Sequence, residues 1–163
     1  MTRIWMLFLA GCLSGCGTTI QNYRILEQSP VQLHTASVGS TIFRLNRQTD
    51  LPNAFGKSDV FGGKVDRGYA ELKFHGLTEK GELILSVNDI QKSSTETTMD
   101  RYSARPRIDV QTTVSTGSAG PADGTRFLFD VRKQKELVIS GVRVTFVDVQ
   151  PYSVSYRLED TQR

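Results

Sequence analysis

A chain of 163 residues, 38% hydrophobic and 23% charged, has the composition of a globular protein and the length of a single domain. Its formal net charge of +3 comes from interspersed basic and acidic side chains, which argues against the concentrated basic stripe of a nucleic-acid binder. Both cysteines, Cys12 and Cys16, fall within the first sixteen residues, so the remainder has neither a disulfide framework nor a thiolate nucleophile and must be held by its core.

The chain opens on Met1, Thr2 and Arg3, a short positive segment, followed by the apolar run Ile4, Trp5, Met6, Leu7, Phe8, Leu9, Ala10. That run is far shorter than the roughly 20 residues a spanning helix needs. It has the length of a signal-peptide core. Two tetrads follow, Leu9-Ala10-Gly11-Cys12 and Leu13-Ser14-Gly15-Cys16. Both resemble the lipobox of bacterial lipoprotein precursors, and the resemblance covers these first sixteen residues alone. It implies a diacylglyceryl group on the cysteine thiol, cleavage just before that cysteine, and further acylation of the freed amine. One acyl chain binds membranes marginally and two or three bind durably. Cleavage before Cys16 removes fifteen residues, nearer the family's usual range, and takes Cys12 away with the signal, leaving the mature protein no free thiol. Cys12 is the alternative lipidation site. By the same resemblance, Gly17 rather than Asp after the cysteine implies the outer membrane if the cell has one.

Beyond the cysteines, residues 17–30 are polar and lack a sustained apolar period. They read as a tether with a short ordered piece at Tyr23, Arg24, Ile25 and Leu26. The expected organisation is a signal over 1–15, a lipidated tether over 16–38 and one β domain over 39–163. From Ser40 onward the dominant period is two. Thr41, Phe43 and Leu45, then Ala70, Leu72 and Phe74, then Leu83, Leu85 and Val87 each alternate with polar or second-face residues. Ile108, Val110, Thr112 and Val114 follow, then Phe127, Phe129 and Val131. These read as half-buried strands. Residues 136–139 and 142–149 are rich in β-branched side chains, and the apolar phase slips at Phe146 and Val147, predicting a bulge. Tyr152, Val154, Tyr156 and Leu158 form a last strand, with Pro151 marking the break before it. Hairpins are expected at residues 78–81 and 133–135. No segment predicts a helix of ten residues. The fold class is therefore all-β, a sandwich or barrel of about seven to eight short, mostly antiparallel strands.

Two stretches look irregular: residues 47–68, which carry glycines with Phe55 and Phe61, and the Ser/Gly/Ala-rich 115–124, read as a flexible loop. Phe55 and Phe61 are expected to pack into the fold, and to be partner contacts if they are exposed. The histidines, His34 and His75, stand apart without cysteine partners, and His75 is expected on a solvated strand face. Asp50, Asp59 and Asp66 match no calcium loop and read as turn-forming or solvated. Gly56-Lys57-Ser58 lacks the glycine cradle, the leading strand and the following helix of a phosphate loop. No nucleophile elbow occurs. Neither a metal nor a cofactor is expected. The leading functional expectation is a non-enzymatic envelope lipoprotein presenting its β domain to a protein partner. The alternatives are a lipid- or glycan-binding barrel lined by Tyr152, Tyr156, Phe127 and Phe129, and an envelope hydrolase with an unrecognised site.

Overall fold

The computed structural model describes residues 18–103, 112–116 and 124–162. Over these the regular structure is nearly all β: β1 (Asn22–Leu26), β2 (Leu33–Ser37), β3 (Thr41–Asp50), β4 (Lys64–Leu77), β5 (Leu83–Ser94), a one-turn helix α1 (Thr98–Tyr102), β6 (Thr112–Thr116), β7 (Thr125–Phe129), β8 (Glu136–Ile139), β9 (Val142–Gln150) and β10 (Ser153–Asp160). Two antiparallel sheets form, in the orders β1-β3-β4-β5-β6, with β7 also on β5, and β2-β10-β9-β8. They face each other as a sandwich that, among the described residues, does not close into a barrel. Strands β6 and β7 share one lane. Thr116 pairs with Ile90 and Thr125 with Val87, so they lie end to end along β5 and the larger sheet is five lanes wide.

The alternating apolar residues meet between the sheets. Phe43, Leu45, Leu72, Phe74 and Leu85 come from the larger sheet, and Val144, Phe146, Val154, Tyr156 and Leu158 from the smaller. Phe129 and Phe146 meet across the gap with ring centroids 5.4 Å apart. The expected slip in β9 is a bulge. Ser155 pairs with Asp148 and Tyr156 with Phe146, leaving Val147 as the extra residue, turned out to solvent. A second bulge places Ile42 between the paired Thr41 and Phe43, which lets Ile42 and Phe43 both be fully buried. In β4 the extra residues are Arg67 and His75, each followed by a glycine at positive φ. At Gly68 the glycine is obligatory, because a Cβ would sit 1.9 Å from the carbonyl oxygen of Ile90.

The structure corrects four expectations. Residues 33–37, placed in the tether, are the strand β2, which pairs with β10; the short ordered piece read at 23–26 is β1, which pairs with β3. Both are short edge strands wetted on one side, so their apolar period is too weak to stand out. The irregular stretch 47–68 shrinks to 51–63, because β3 and β4 continue into it from both sides. Residues 133–135 do not close a hairpin. They carry the chain from β7 in one sheet to β8 in the other. His75 is not a solvated surface residue. Its bulge turns Nε2 to within 2.7 Å of the hydroxyl of Ser86, which is buried. Of the loop expected at 115–124, Ser115 and Thr116 belong to β6, and 117–123 lie outside the described residues.

Candidate functional site

The site begins at Thr18, the first of the described residues. The backbone carbonyl of Thr18 accepts bonds from both the amide and the hydroxyl of Ser58, at 3.0 Å each, and the two hydroxyls also meet. Three residues on, Gln21 accepts the amide of Asp50 at 3.0 Å and donates its own amide to the Asp50 carboxylate at 3.0 Å. Residues 18–21 are thereby fastened to loop 51–63 and to the strand end that precedes it. Leu51 and Val65 are buried at this end but lie outside the main core cluster. The sheet end therefore has a small packing centre of its own.

Two side chains shape the loop. Asn53 accepts the amides of Phe55 and Lys57 on its Oδ1 at 2.9 and 3.0 Å, and its own amide donates to the Lys57 carbonyl at 2.7 Å. This makes a tight turn with Phe55 at its tip. Asp59 accepts the amides of Phe61 (3.0 Å) and Gly63 (2.9 Å) and the hydroxyl of Tyr102 (2.8 Å). Burial pushes the Asp59 carboxyl up, but the Phe61 amide, the Tyr102 hydroxyl and the Gly63 amide outweigh it and hold it below the ordinary carboxylate range. The same bond raises the Tyr102 hydroxyl above its ordinary value. Helix α1 is docked alongside. Thr98 donates its amide to the carbonyl of Pro52 at 2.9 Å, Thr97 and Asp100 form a capping box, and Tyr102 meets Phe61 edge-on at 5.8 Å.

Phe55 is 88% exposed and Phe61 82%, so the expected packing of these rings into the fold is corrected. The hydrogen bonds of Asn53 and Asp59 hold the backbone around them in a shape that turns both rings outward. Among the described residues thirteen large hydrophobics are exposed, and five of these (Phe55, Val60, Phe61, Met99 and Tyr102) belong to this loop and helix. Exposed apolar residues gathered at one end in this way are what interaction surfaces are built from. Lys57 lies exposed among them, with no ion pair among the described residues.

The carboxylates nearby are each engaged separately. Asp50 pairs with Lys64, whose ammonium also lies 3.6 Å from the Tyr23 ring centroid, and this pairing first, then the Gln21 amide, lowers its pKa. Asp66 binds Lys92 at 2.6 Å and the Gly68 amide at 2.7 Å. Among the described residues no group of three or more His, Cys, Asp or Glu is placed to hold a metal ion. His34 donates from Nε2 to the Ser29 carbonyl at 2.8 Å and stacks on Tyr156, whereas His75 meets Ser86. Lys57 and Ser58 point to different surroundings, the first into solvent and the second onto Thr18, and Gly56 takes the positive φ of a turn.

The four aromatics of the barrel reading are separated. Tyr156 and Phe129 are buried in the packed core, Phe127 is half-buried against it, and Tyr152 is 81% exposed in the β9–β10 turn. Two surface clefts of about 400 and 380 Å³ are lined by other residues, the first by Arg24, Gln28 and Asp160, the second by Leu77, Val131 and Phe146. Cys12 and Cys16 lie outside the described residues, and no helix among the described residues is long and apolar enough to cross a membrane. The sequence reading missed Thr18, Asn53 and Tyr102 as organisers of the site, whereas Asp59, read as turn-forming or solvated, does close a turn. The signals for the two loop residues were Asn and Asp each followed closely by glycine, in Asn53-Ala54-Phe55-Gly56 and Asp59-Val60-Phe61-Gly62. No protein-family model, curated protein or solved structure matches the chain.

Proposed function

We propose that the protein is a non-enzymatic envelope lipoprotein, acylated at Cys16, whose β sandwich is presented from the membrane surface to a protein partner. The observation that carries this reading is the join between anchor and fold. Two tetrads that resemble lipoboxes end at Cys12 and Cys16, and the chain is bonded into the sandwich from Thr18 onward, so on this reading a domain rather than a long linker follows the anchor. Anchoring confines the domain beside its partner and raises effective concentration, so a modest contact suffices. Support for a scaffolding role comes from the carboxylates at the exposed end, since Asp50, Asp59 and Asp66 are all committed to holding backbone or lysines.

Partner contact falls to sheet edges that are open among the described residues. The β6–β7 lane ends one sheet and β8 ends the other, and the short crossing after β7 places β8 next in the chain. Leu128 and Val138 on these strands are 58% and 56% exposed. An edge with one free row of amides and carbonyls accepts an added strand. Gly17 after the cysteine favours the outer membrane's periplasmic face.

Intact mass of the protein extracted from membranes tests the anchor. A triacylated species beginning at Cys16, lost in Cys16→Ala and kept in Cys12→Ala, is expected; a soluble, unmodified product overturns the reading. Photocrosslinkers at positions 128 and 138 test the partner. One discrete adduct in membranes is expected, and its absence at both positions removes the edge assignment.

A further inference from the structure

We propose that loop 51–63, with α1 beside it, lies in the interface of the same bilayer that holds the acylated cysteine, and so fixes which end of the sandwich faces the membrane. The inference rests on the lipoprotein reading above and adds to it a second, non-covalent membrane contact made by the fold itself.

Chain geometry supplies the first argument. Cys16 precedes Thr18 by two residues, a span of at most about 7 Å for extended backbone. Thr18 is bonded directly to Ser58, in the loop itself. The polar zone on each side of the hydrocarbon core is about 5–8 Å deep. An acylated Cys16 therefore leaves the base of this loop no room to stand clear of the membrane surface. The loop's chemistry supplies the second. The residues it turns outward are Phe55, Val60 and Phe61, with Tyr102 and Met99 from the helix docked on it. Aromatic rings are favoured at the headgroup level. Lys57 sits between Phe55 and Val60 in the chain, where its ammonium can reach lipid phosphate while its stem lies among apolar groups.

The loop is also built in advance for this contact. Asn53 and Asp59 each satisfy two amides inside the loop, and Tyr102 adds its hydroxyl to Asp59. Four backbone donors that would otherwise need water are already bonded when the loop meets lipid, so the contact buries few unpaired polar groups. The conformation is set beforehand, which lowers the entropy lost on docking. In this orientation the β4–β5 hairpin and the β9–β10 turn point away from the membrane. Phe74, which accepts the amide of Gly39 near that far end, lies ten residues along β4 from Lys64, roughly 30 Å.

The only tryptophan of the chain is Trp5, in the segment read as signal, so a tryptophan introduced later is a unique reporter in the processed protein. The lipidated full chain carrying Phe55→Trp is reconstituted into phosphatidylethanolamine–phosphatidylglycerol vesicles containing phosphatidylcholine brominated at shallow acyl positions. Tyr152→Trp, in the far turn, is the control. Expected are a blue-shifted emission strongly quenched by the bromines for Phe55→Trp, and neither effect for Tyr152→Trp. Phe61→Trp repeats the measurement should Phe55→Trp alter melting. Acylated protein whose loop tryptophan is unquenched overturns this proposal and leaves the lipoprotein reading standing. A blue shift without quenching overturns it in favour of a protein covering the loop, and equal quenching at both positions overturns the orientation. A product without acyl chains by intact mass removes the lipoprotein reading and this proposal with it.

Discussion

Tyr156→Phe deletes one oxygen from the centre of the sandwich. The Tyr156 hydroxyl donates to the carbonyl of Ile42 at 2.6 Å, and both residues are buried. Ile42 is the extra residue of the β3 bulge and has no partner on β4, so the opposite sheet supplies this donor. Without the hydroxyl a buried carbonyl loses its bond, which costs about 1–3 kcal/mol. For a domain near 150 residues that is a fall in Tm of roughly 2–12 °C. Urea unfolding of wild type and variant measures it directly, with the m-value unchanged if only the native state is affected. The pH dependence is a second check. Burial pushes the Tyr156 hydroxyl up to about 12 from 10.0. A folded pKa above the unfolded one means the stabilising contribution is complete below pH 10 and disappears as pH rises through about 12. The stability gap between wild type and Tyr156→Phe therefore narrows over pH 10–12. A variant within about 0.5 kcal/mol of wild type, the usual scatter of innocuous surface changes, would refute the bulge-capping role. So would a gap that stays constant across that pH range.

Gly68→Ala is expected to lose about 2–4 kcal/mol, because φ is +95° and the new Cβ meets backbone 1.9 Å away. Gly56→Ala, at φ +69° with open space around it, carries only the strain of the left-handed region, about 1–2 kcal/mol, and thermal melts giving equal losses for the two would count against the steric account. Asp89 is held below the ordinary carboxylate range, first by its hydrogen bond from Arg47, which reaches it at 2.6 and 3.1 Å, and it also accepts from Ser140 of the other sheet at 3.1 Å. A lowered folded pKa means this stability is present above the unfolded value of about 3.9 and drains away as pH falls below it. Asp89→Asn should cost about 1–2 kcal/mol at pH 7, discounted for the pair's partial exposure, and flatten the acid limb of a pH–stability curve; an unchanged limb would move the cause elsewhere. Asp59→Ala should free loop 51–63 without unfolding the sandwich, since that end packs outside the main core. Limited proteolysis should then cut within residues 53–62 at near-normal Tm, and a cooperative loss of the whole fold would show the loop to be part of the core.

The all-β class was legible in the period-two alternation of residues such as Leu83, Leu85 and Val87, because one face of each strand is packed and the other is wet. The β9 bulge was legible too, since an added residue shifts the apolar phase at Phe146 and Val147 wherever it falls in the fold. The edge strand β2 was not, and β1 showed only as a short ordered piece at 23–26, because a strand bonded on one side and wetted on most of its surface has little periodicity to display. Nor were the open sandwich and the shared lane of β6 and β7, since pairing partners far apart in the chain leave no mark on local composition. At the site, the sequence by itself marked Phe55 and Phe61 as the residues to ask about, and only the tertiary structure decided that they face outward. That outcome depends on Asn53 and Asp59 closing turns around them and on Tyr102, brought from another part of the chain, completing the second turn. It depends equally on Thr18 meeting Ser58, a contact across forty residues that local pattern cannot specify because it exists only once β1 has paired with β3.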